Sequence, residues 1–485
     1  MGLLTSALVL AVLLGLSAGR WSTYTVAGVV GIAMVALVAK HPRFAAYAYL
    51  AIGPLVVGLE RGTALPLIRV NELLLAVLWL GLLAGPVRRW AVQGFPPIHL
   101  HVVDWCVLAL AVFSSVTGLL WMFVRSEPLT LDDILFALTL WKYLALYALV
   151  RIAIRQGEHA RTALVLALAS SAVVALLGIL QVLQFGPVPG LLTPFVSADE
   201  PEKIEQLNAK STIGGSIAFA DLMAILVAVS LSWFVLVRSS RPVTGVAAAI
   251  FAMATLASGQ FSGVLGLIAV AITTGALLRI LTRLAVLSIP LIVVAAIALR
   301  PALEARLLEL DPNTGLPVQW TGDTGRLANL QTFIWPRLGE GLNWLLGVQT
   351  SARIPAPESY REWIWIESGY TWLLWNGGVP LLLAFMAYVA FAGRACWRTI
   401  SSTAHPAFRI AAIAALAGLV QLSLLMVVDT HLTMRGTADF LFPLVAMAVT
   451  GGMATRGSLT DSTTEPLAAE NQIAGEHSSR TRPHA

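Results

Sequence analysis

The sequence predicts an all-α polytopic membrane protein of about 12–14 transmembrane helices, with one large extracytoplasmic loop before the last three. Three observations predict it. Of the 485 residues 58% are apolar and only 12% are charged, with a mean hydropathy of +0.80, whereas a soluble globular chain carries about 25% charged residues. The charges fall in short clusters between apolar runs of roughly 18–25 residues, the length that crosses about 30 Å of hydrocarbon. The clusters also alternate in kind along the chain, as a threaded membrane protein requires.

Fourteen candidate spans can be placed: 3–19, 22–39, 44–59, 66–85, 103–124, 131–150, 162–185, 214–237, 242–257, 261–278, 284–299, 366–393, 407–428 and 435–454. The amino terminus lacks a basic n-region and reads as a first membrane helix, not a cleaved signal. With that end inside, every inside loop is basic: Lys40 and Arg43; Arg88 and Arg89; Arg151, Arg155 and Arg161; Arg238 and Arg241; Arg279 and Arg283; Arg394, Arg398 and Arg409. Outside, "SGQFSG" (258–263) is uncharged and 187–213 carries Asp199, Glu200, Glu202 and Glu205. The net charge of +5 therefore reflects the positive-inside pattern and not a nucleic-acid partner. Cys106 and Cys396 fall near expected cytoplasmic helix ends, where no structural disulfide is expected. No Cys/His spacing suggests a metal site.

The chain divides into a bundle of about eleven helices (1–299), an outer loop with short surface helices (300–365), three last spans (366–455) and a polar tail (456–485) expected to be disordered. In the loop, "RPALEARLLELDPNTG" opens with Pro301 suited to a first helical turn. "TGDTGRLANLQTFIWPRLGEG" predicts a second helix, capped by Thr324 and ended by Pro336. Leu327, Leu330 and Ile334 would form its apolar stripe against the membrane surface, with Arg326 on another side.

"WIWIESGYTWLLWNGGVPLLL" (363–383) sets four tryptophans, Tyr370 and Glu367 at the mouth of a span, and seven of the fifteen tryptophans lie between 320 and 375. Such rings form interfacial belts. An indole face such as that of Trp365 also suits the C–H face of a sugar. A carboxylate among rings at the membrane edge would be partly desolvated, which would make Glu367 a stronger base; the other reading is an ordinary interfacial carboxylate paired with an arginine.

Ionisable residues within or beside spans lean functional. Arg69 and Glu72 are one turn apart at an outer end. "VVDTHLTMRGTADF" brings Asp429, His431 and Arg435 to the same face. Lys142 and Asp221 lie deeper and are expected to pair statically. Arg69, Arg326, Arg435 and Glu367 would converge at the outer face, with His431, Trp365 and Tyr370 as further substrate contacts.

The order of parts resembles the O-antigen ligase and O-antigen polymerase family. Its Gly-Arg loop helix is matched by "TGRLANLQTFIWPRL" (324–338 within 322–338), its "G-V/I-G" stretch by "LGVQT" (346–350), and its closing motif by "ESGYTWLLWNGGVPLLLAF" (367–385). "STIGGSIAFADLMAIL" (211–226) is similar to the family's central-helix motif, and "ASGQFSGVLGLI" (257–268) stands at its Ser-Arg-Gly turn, here Ser262-Gly263. Ligases carry a loop histidine; 300–365 has none, and Glu367 is the nearest counterpart, which points to the polymerase branch. The resemblance implies a metal- and cofactor-independent glycosyltransferase in the inner membrane of a bacterium. It would move glycan from a polyprenyl-diphosphate-linked donor to a glycan or lipid acceptor, with Arg326 and Glu367 catalytic. A lipid-linked glycan flippase or other transporter is the alternative of a different class.

Overall fold

The computed structural model describes residues 22–62, 67–93, 100–195, 207–308, 310–312, 314–315, 317–321, 325–355 and 363–454. The expected first span, the acidic stretch 199–205, the cap Thr324 and the tail lie outside these residues. The remaining thirteen spans all correspond to helices: α1 (Ser22–Lys40), α2 (Arg43–Val56), α3 (Val70–Val92), α4 (Val102–Val124), α5 (Leu131–Ala153), α6 (Gly157–Val182), α7 (Ser216–Leu236), α8 (Arg238–Ala257), α9 (Phe261–Leu278) and α10 (Leu281–Ala298) precede the large outer segment, and three more follow it. The outer segment holds α11 (Arg300–Leu307), α12 (326–338) and a two-stranded antiparallel sheet, β1 (Arg353–Pro355) with β2 (Trp363–Trp365). The last spans are α13 (Gly369–Ile400), α14 (Pro406–Leu425) and α15 (Thr437–Ala454). Eleven of the described helices are long and apolar enough to cross a membrane, while the apolar stretches of α1 and α2 are shorter. The protein is an all-α polytopic membrane protein. The end of the bundle that carries the segment between α10 and α13 is its outer end, and the opposite one its inner end.

The centre of the bundle is α7, whose residues from Ala218 to Ser230 are all buried. It packs against α8, α9 and α14, and α14 packs in turn on α13 and α9. On the other side α2 lies on α6, and α1 on α3. A stack of three rings ties α15 between α5 and α13: Phe442 lies 5.4 Å from Tyr143 and 5.2 Å from Tyr388, nearly parallel to both. Aromatic pairs of this geometry contribute about 0.5–1.5 kcal/mol beyond their burial.

Helix α13 is broken where the sequence reads Asn376-Gly377-Gly378-Val379-Pro380. Gly378 has φ +68°, and a Cβ there would lie 2.0 Å from the Leu345 carbonyl oxygen. Gly377 lets the Phe113 carbonyl approach in the same way, opposite a π-turn in α4 at Phe113–Thr117. The outer segment is hydrogen-bonded to the residues at the break. Asn376 Nδ2 donates to Thr350 O (2.9 Å), the Trp375 indole to Ser351 O (3.2 Å), and Val348 N to Trp375 O (2.6 Å). Irregular backbone inside a membrane bundle is tolerated only where it is buried in protein like this. Ser351 N and Thr350 Oγ1 donate to Asp133 (3.0 and 2.7 Å), Arg353 pairs with Asp132, and Arg125 donates to Val348 O. The outer loop is thereby fastened to α5, α4 and the break in α13.

Two expectations for α12 are corrected. Pro336 does not end the helix, because a π-turn at Leu330–Ile334 precedes it and the chain runs on to Leu338. The apolar stripe faces protein, not a membrane surface: Leu330 and Ile334 are buried, while Leu327 is exposed. The tryptophans do not form one belt either, since Trp372 and Trp375 belong to the core.

The Lys142–Asp221 pair is also corrected. Lys142 Nζ lies 3.0 Å from Asp439 on α15, and Asp221 lies 2.5 Å from His431. Asp439 further accepts from the Tyr49 hydroxyl (2.5 Å) and Gly436 N (3.1 Å). Asp221 accepts from Gln421 Nε2 (3.2 Å).

Candidate functional site

A cavity of about 1430 Å³ occupies the outer end, between α3, α5, the start of α7, the head of α12, the stretch before α13 and the turn between α14 and α15. Six cations line it (Arg61, Arg69, Lys142, Lys210, Arg326, Arg435), with four carboxylates (Glu60, Glu72, Glu367, Asp429). Trp79, Trp141 and Trp365 add aromatic surface, while Leu67, Ile68 and Leu138 add apolar side chains that are exposed.

Arg326 opens α12, with Gly325 at the capping position. Its guanidinium is held on three sides. Nη1 donates to Val428 O (2.7 Å), Nη2 lies 3.3 Å from Asp429 Oδ2, and Nε lies 3.6 Å from Glu367 Oε1. This one side chain joins the outer segment, the residue preceding the cap of α13 and the turn after α14. The two carboxylates meet over one cation, which offsets their mutual repulsion in a half-buried place.

The other cations are arranged differently. Arg435 pairs with Glu60 and Arg61 with Glu72, each at 3.3 Å. Glu72 also accepts the Arg69 backbone N–H at 3.1 Å, which satisfies one free donor at the start of α3. The Arg69 guanidinium itself makes no ion pair among the described residues, and its buried Nε has no hydrogen-bond partner. Arg435 and Arg61 lie near enough to repel it, and Glu72 and Glu60, each held by another arginine, near enough to attract it. A half-buried guanidinium with an unused Nε is a ready place for an anion.

Five of the seven residues singled out in the sequence thus line one cavity: Arg69, Arg326, Arg435, Glu367 and Trp365. Two do not. His431 is fully buried against Asp221, behind the cavity wall. Tyr370 turns away, donating its hydroxyl to Ser423 O (2.8 Å) with its ring edge-on to Phe385. Asp429, Lys142 and Lys210 join the lining instead. Their charge at the outer face or in a span was the available signal, but nothing local placed them in the same space. Trp365 is 47% exposed, and Arg353 sits 4.3 Å from the Trp363 ring and 5.7 Å from that of Trp365, so the paired rings of β2 carry a cation between them and the strand start. Among the described residues no group of three or more His, Cys, Asp or Glu side chains is placed to hold a metal ion.

Fold and cavity together define a multi-pass α-helical membrane protein with a large charged cavity at one end. No family model matches the chain, and no curated protein matches it.

Proposed function

We propose that this protein transfers or polymerises polyprenyl-diphosphate-linked oligosaccharide units on the outer face of a bacterial cytoplasmic membrane, for surface or exopolysaccharide synthesis. The observation that carries the reading is the juxtaposition in one cavity of Arg69, a guanidinium without an ion pair among the described residues, and the Glu367–Arg326–Asp429 cluster. Glycosyl transfer from a lipid diphosphate breaks the bond from the anomeric carbon to the diphosphate oxygen as the acceptor hydroxyl attacks. The leaving group gathers negative charge, which arginine's planar fork meets bidentately. The acceptor proton goes to a carboxylate, for which Glu367 and Asp429 are placed. Arg326 fixes the direction of both. Arg69 and Arg435 face the diphosphate, and Trp365 offers a flat face to a sugar.

The test is chain extension on purified lipid-linked repeat units by reconstituted protein, with donor binding measured alongside. Arg69→Ala is expected to weaken donor binding and to lower extension by about 10²-fold or more, the scale seen when one donor to a developing charge is removed. Glu367→Gln is expected to cut turnover while donor binding stays near wild type. Arg326→Lys should fail nearly as badly as Arg326→Ala, because a point charge cannot serve Glu367, Asp429 and Val428 O together. Wild-type extension by both Arg69→Ala and Glu367→Gln would reject the reading.

A second reading, a lipid-linked glycan transporter, has one observation in its favour: the buried Lys142–Asp439 pair reaches the cavity from within the bundle. Charges so placed mark transport pathways. A deletion strain separates the two, since repeat units accumulate inside after loss of a transporter and outside after loss of a polymerase.

A further inference from the structure

A second concavity lies at the inner end and shares no lining residue with the outer site. It has a volume of about 550 Å³ and is formed at three helix corners: His41, Pro42 and Arg43 between α1 and α2; Arg89 and Trp90 near the end of α3; and Ile152, Ala153, Arg155, Gln156 and His159 where α5 gives way to α6. Its described lining contains three arginines and two histidines and no carboxylate. The corners are drawn together by close backbone packing. A Cβ on Gly85 of α3 would lie 2.2 Å from the carbonyl oxygen of Ala39, just before the His41 corner.

Two of the three arginines are oriented by contacts. Arg43 Nη1 lies 3.3 Å from His159 Nε2. A guanidinium only donates, so Nε2 accepts and the imidazole proton sits on Nδ1, a buried donor with no partner. Arg155 lies 5.4 Å from the Trp90 ring centroid and donates Nε to Ile152 O (3.3 Å), which leaves its other nitrogens available. The nearest carboxylate in sequence, Glu158, is engaged elsewhere, with His405 at 3.2 Å and Arg161 at 3.7 Å. Three like charges converging on one hollow repel one another, and nothing in the described lining compensates them.

We infer that this inner hollow is a binding site for a phosphate-bearing group, either the headgroup of an anionic phospholipid or a free phosphate. Basic pockets between transmembrane helices on the cytoplasmic side bind anionic headgroups. Arginine forks suit phosphate oxygens, and the exposed corner positions of Arg43, Arg89 and Arg155 leave the hollow accessible. Trp90 and Ile152 give it an apolar wall. The inference stands independently of the outer-face chemistry.

The test uses the full chain purified in detergent. Phosphatidylglycerol, phosphatidylcholine, and inorganic phosphate against chloride at matched ionic strength are titrated separately while the thermal midpoint is read by tryptophan fluorescence. Phosphatidylglycerol is expected to raise the midpoint and phosphatidylcholine to leave it unchanged. The combined variant Arg43→Gln, Arg89→Gln, Arg155→Gln should bind at least tenfold more weakly, with a ligand-free midpoint no lower than wild type because repulsion is relieved. A response to phosphatidylglycerol alone assigns a lipid headgroup; a response to inorganic phosphate as well assigns free phosphate. No response to either, or an equal response in the combined variant, overturns the site. Should that variant not fold, Arg155→Gln alone decides: at least threefold weaker binding is expected, and unchanged binding rejects the proposal.

Discussion

Two buried ion pairs show how single side chains in this protein depend on distant ones. Lys142 and Asp439 are both nearly buried, and Asp439 is further satisfied by Tyr49 and Gly436. Removing one partner strands the other, which typically costs about 3–5 kcal/mol, whereas replacing both by apolar groups is often close to neutral. Lys142→Met should therefore lower the thermal midpoint more than the joint Lys142→Met, Asp439→Leu change, and an equal or greater loss in the joint variant would show that the pair does not act as a unit. His431 gives a pH prediction. Burial by itself lowers the affinity of its imidazole for a proton, but the Asp221 carboxylate more than reverses this, leaving the pKa above the ordinary 6.5. A raised folded value means the contribution is fully present below about pH 6.5 and is lost as pH rises through the folded value. The wild-type midpoint in detergent should thus fall between pH 6.5 and 9 more steeply than that of Asp221→Asn. Parallel slopes would contradict it. Neither partner could be read from the sequence: the residues are 297 and 210 positions apart. Helical phase tells which face a charge takes, not which helix stands opposite.

Among elements, the broken α13 is the one whose local sequence carries the most. Gly378 combines a left-handed backbone with a contact that leaves no room for a Cβ. Gly378→Ala must either straighten the helix or push the Leu345 backbone away, and such strain costs on the order of 1–3 kcal/mol before lost contacts are added. Limited proteolysis should then cut the 343–352 region faster, while Gly393→Ala, whose Cβ would meet only Leu416 Cδ1 at 3.7 Å, should behave as wild type. The sequence reading runs a single span through 366–393, so neither the break at Gly377-Gly378 nor the opposing π-turn in α4 was read from it. In the same way Pro336 reads as a helix stop, and only the π-turn before it explains why α12 continues. Turns of that kind are set by tertiary contacts and leave no pattern in a single chain.

For the molecule as a whole, the long spans were legible because hydrocarbon thickness imposes a length and the inner basic loops impose an alternation. The structure agrees with that alternation by contact. Arg43 meets His159, Arg155 meets Trp90 and Glu158 meets His405 at one end, while Arg435 meets Glu60 and Arg326 meets Glu367 at the other. The convergence of Arg69, Arg326, Arg435 and Glu367 followed from the threading; the cluster of Arg326 with Asp429 did not, since it depends on how the turn after α14 folds over α12. Cysteine labelling tests the orientation. Both native cysteines are buried. With an impermeant reagent on intact cells, Gly315→Cys should react and Glu158→Cys should not until the membrane is opened; the reverse result would invert the threading.

The partners of α7 arrive late in synthesis. Asp221 lies in the helix at the centre of the bundle, yet the groups that satisfy it, Gln421 and His431, follow 200 and 210 residues later. At ribosomal rates of about 5–20 residues per second, that carboxylate waits roughly 10–40 s without them. During that interval α7 must remain near water, beside the translocation machinery or against a provisional neighbour. The bundle therefore closes around its centre only when its carboxyl-terminal helices emerge, and ribosomes stalled before residue 421 should leave a nascent chain that quality-control proteases recognise.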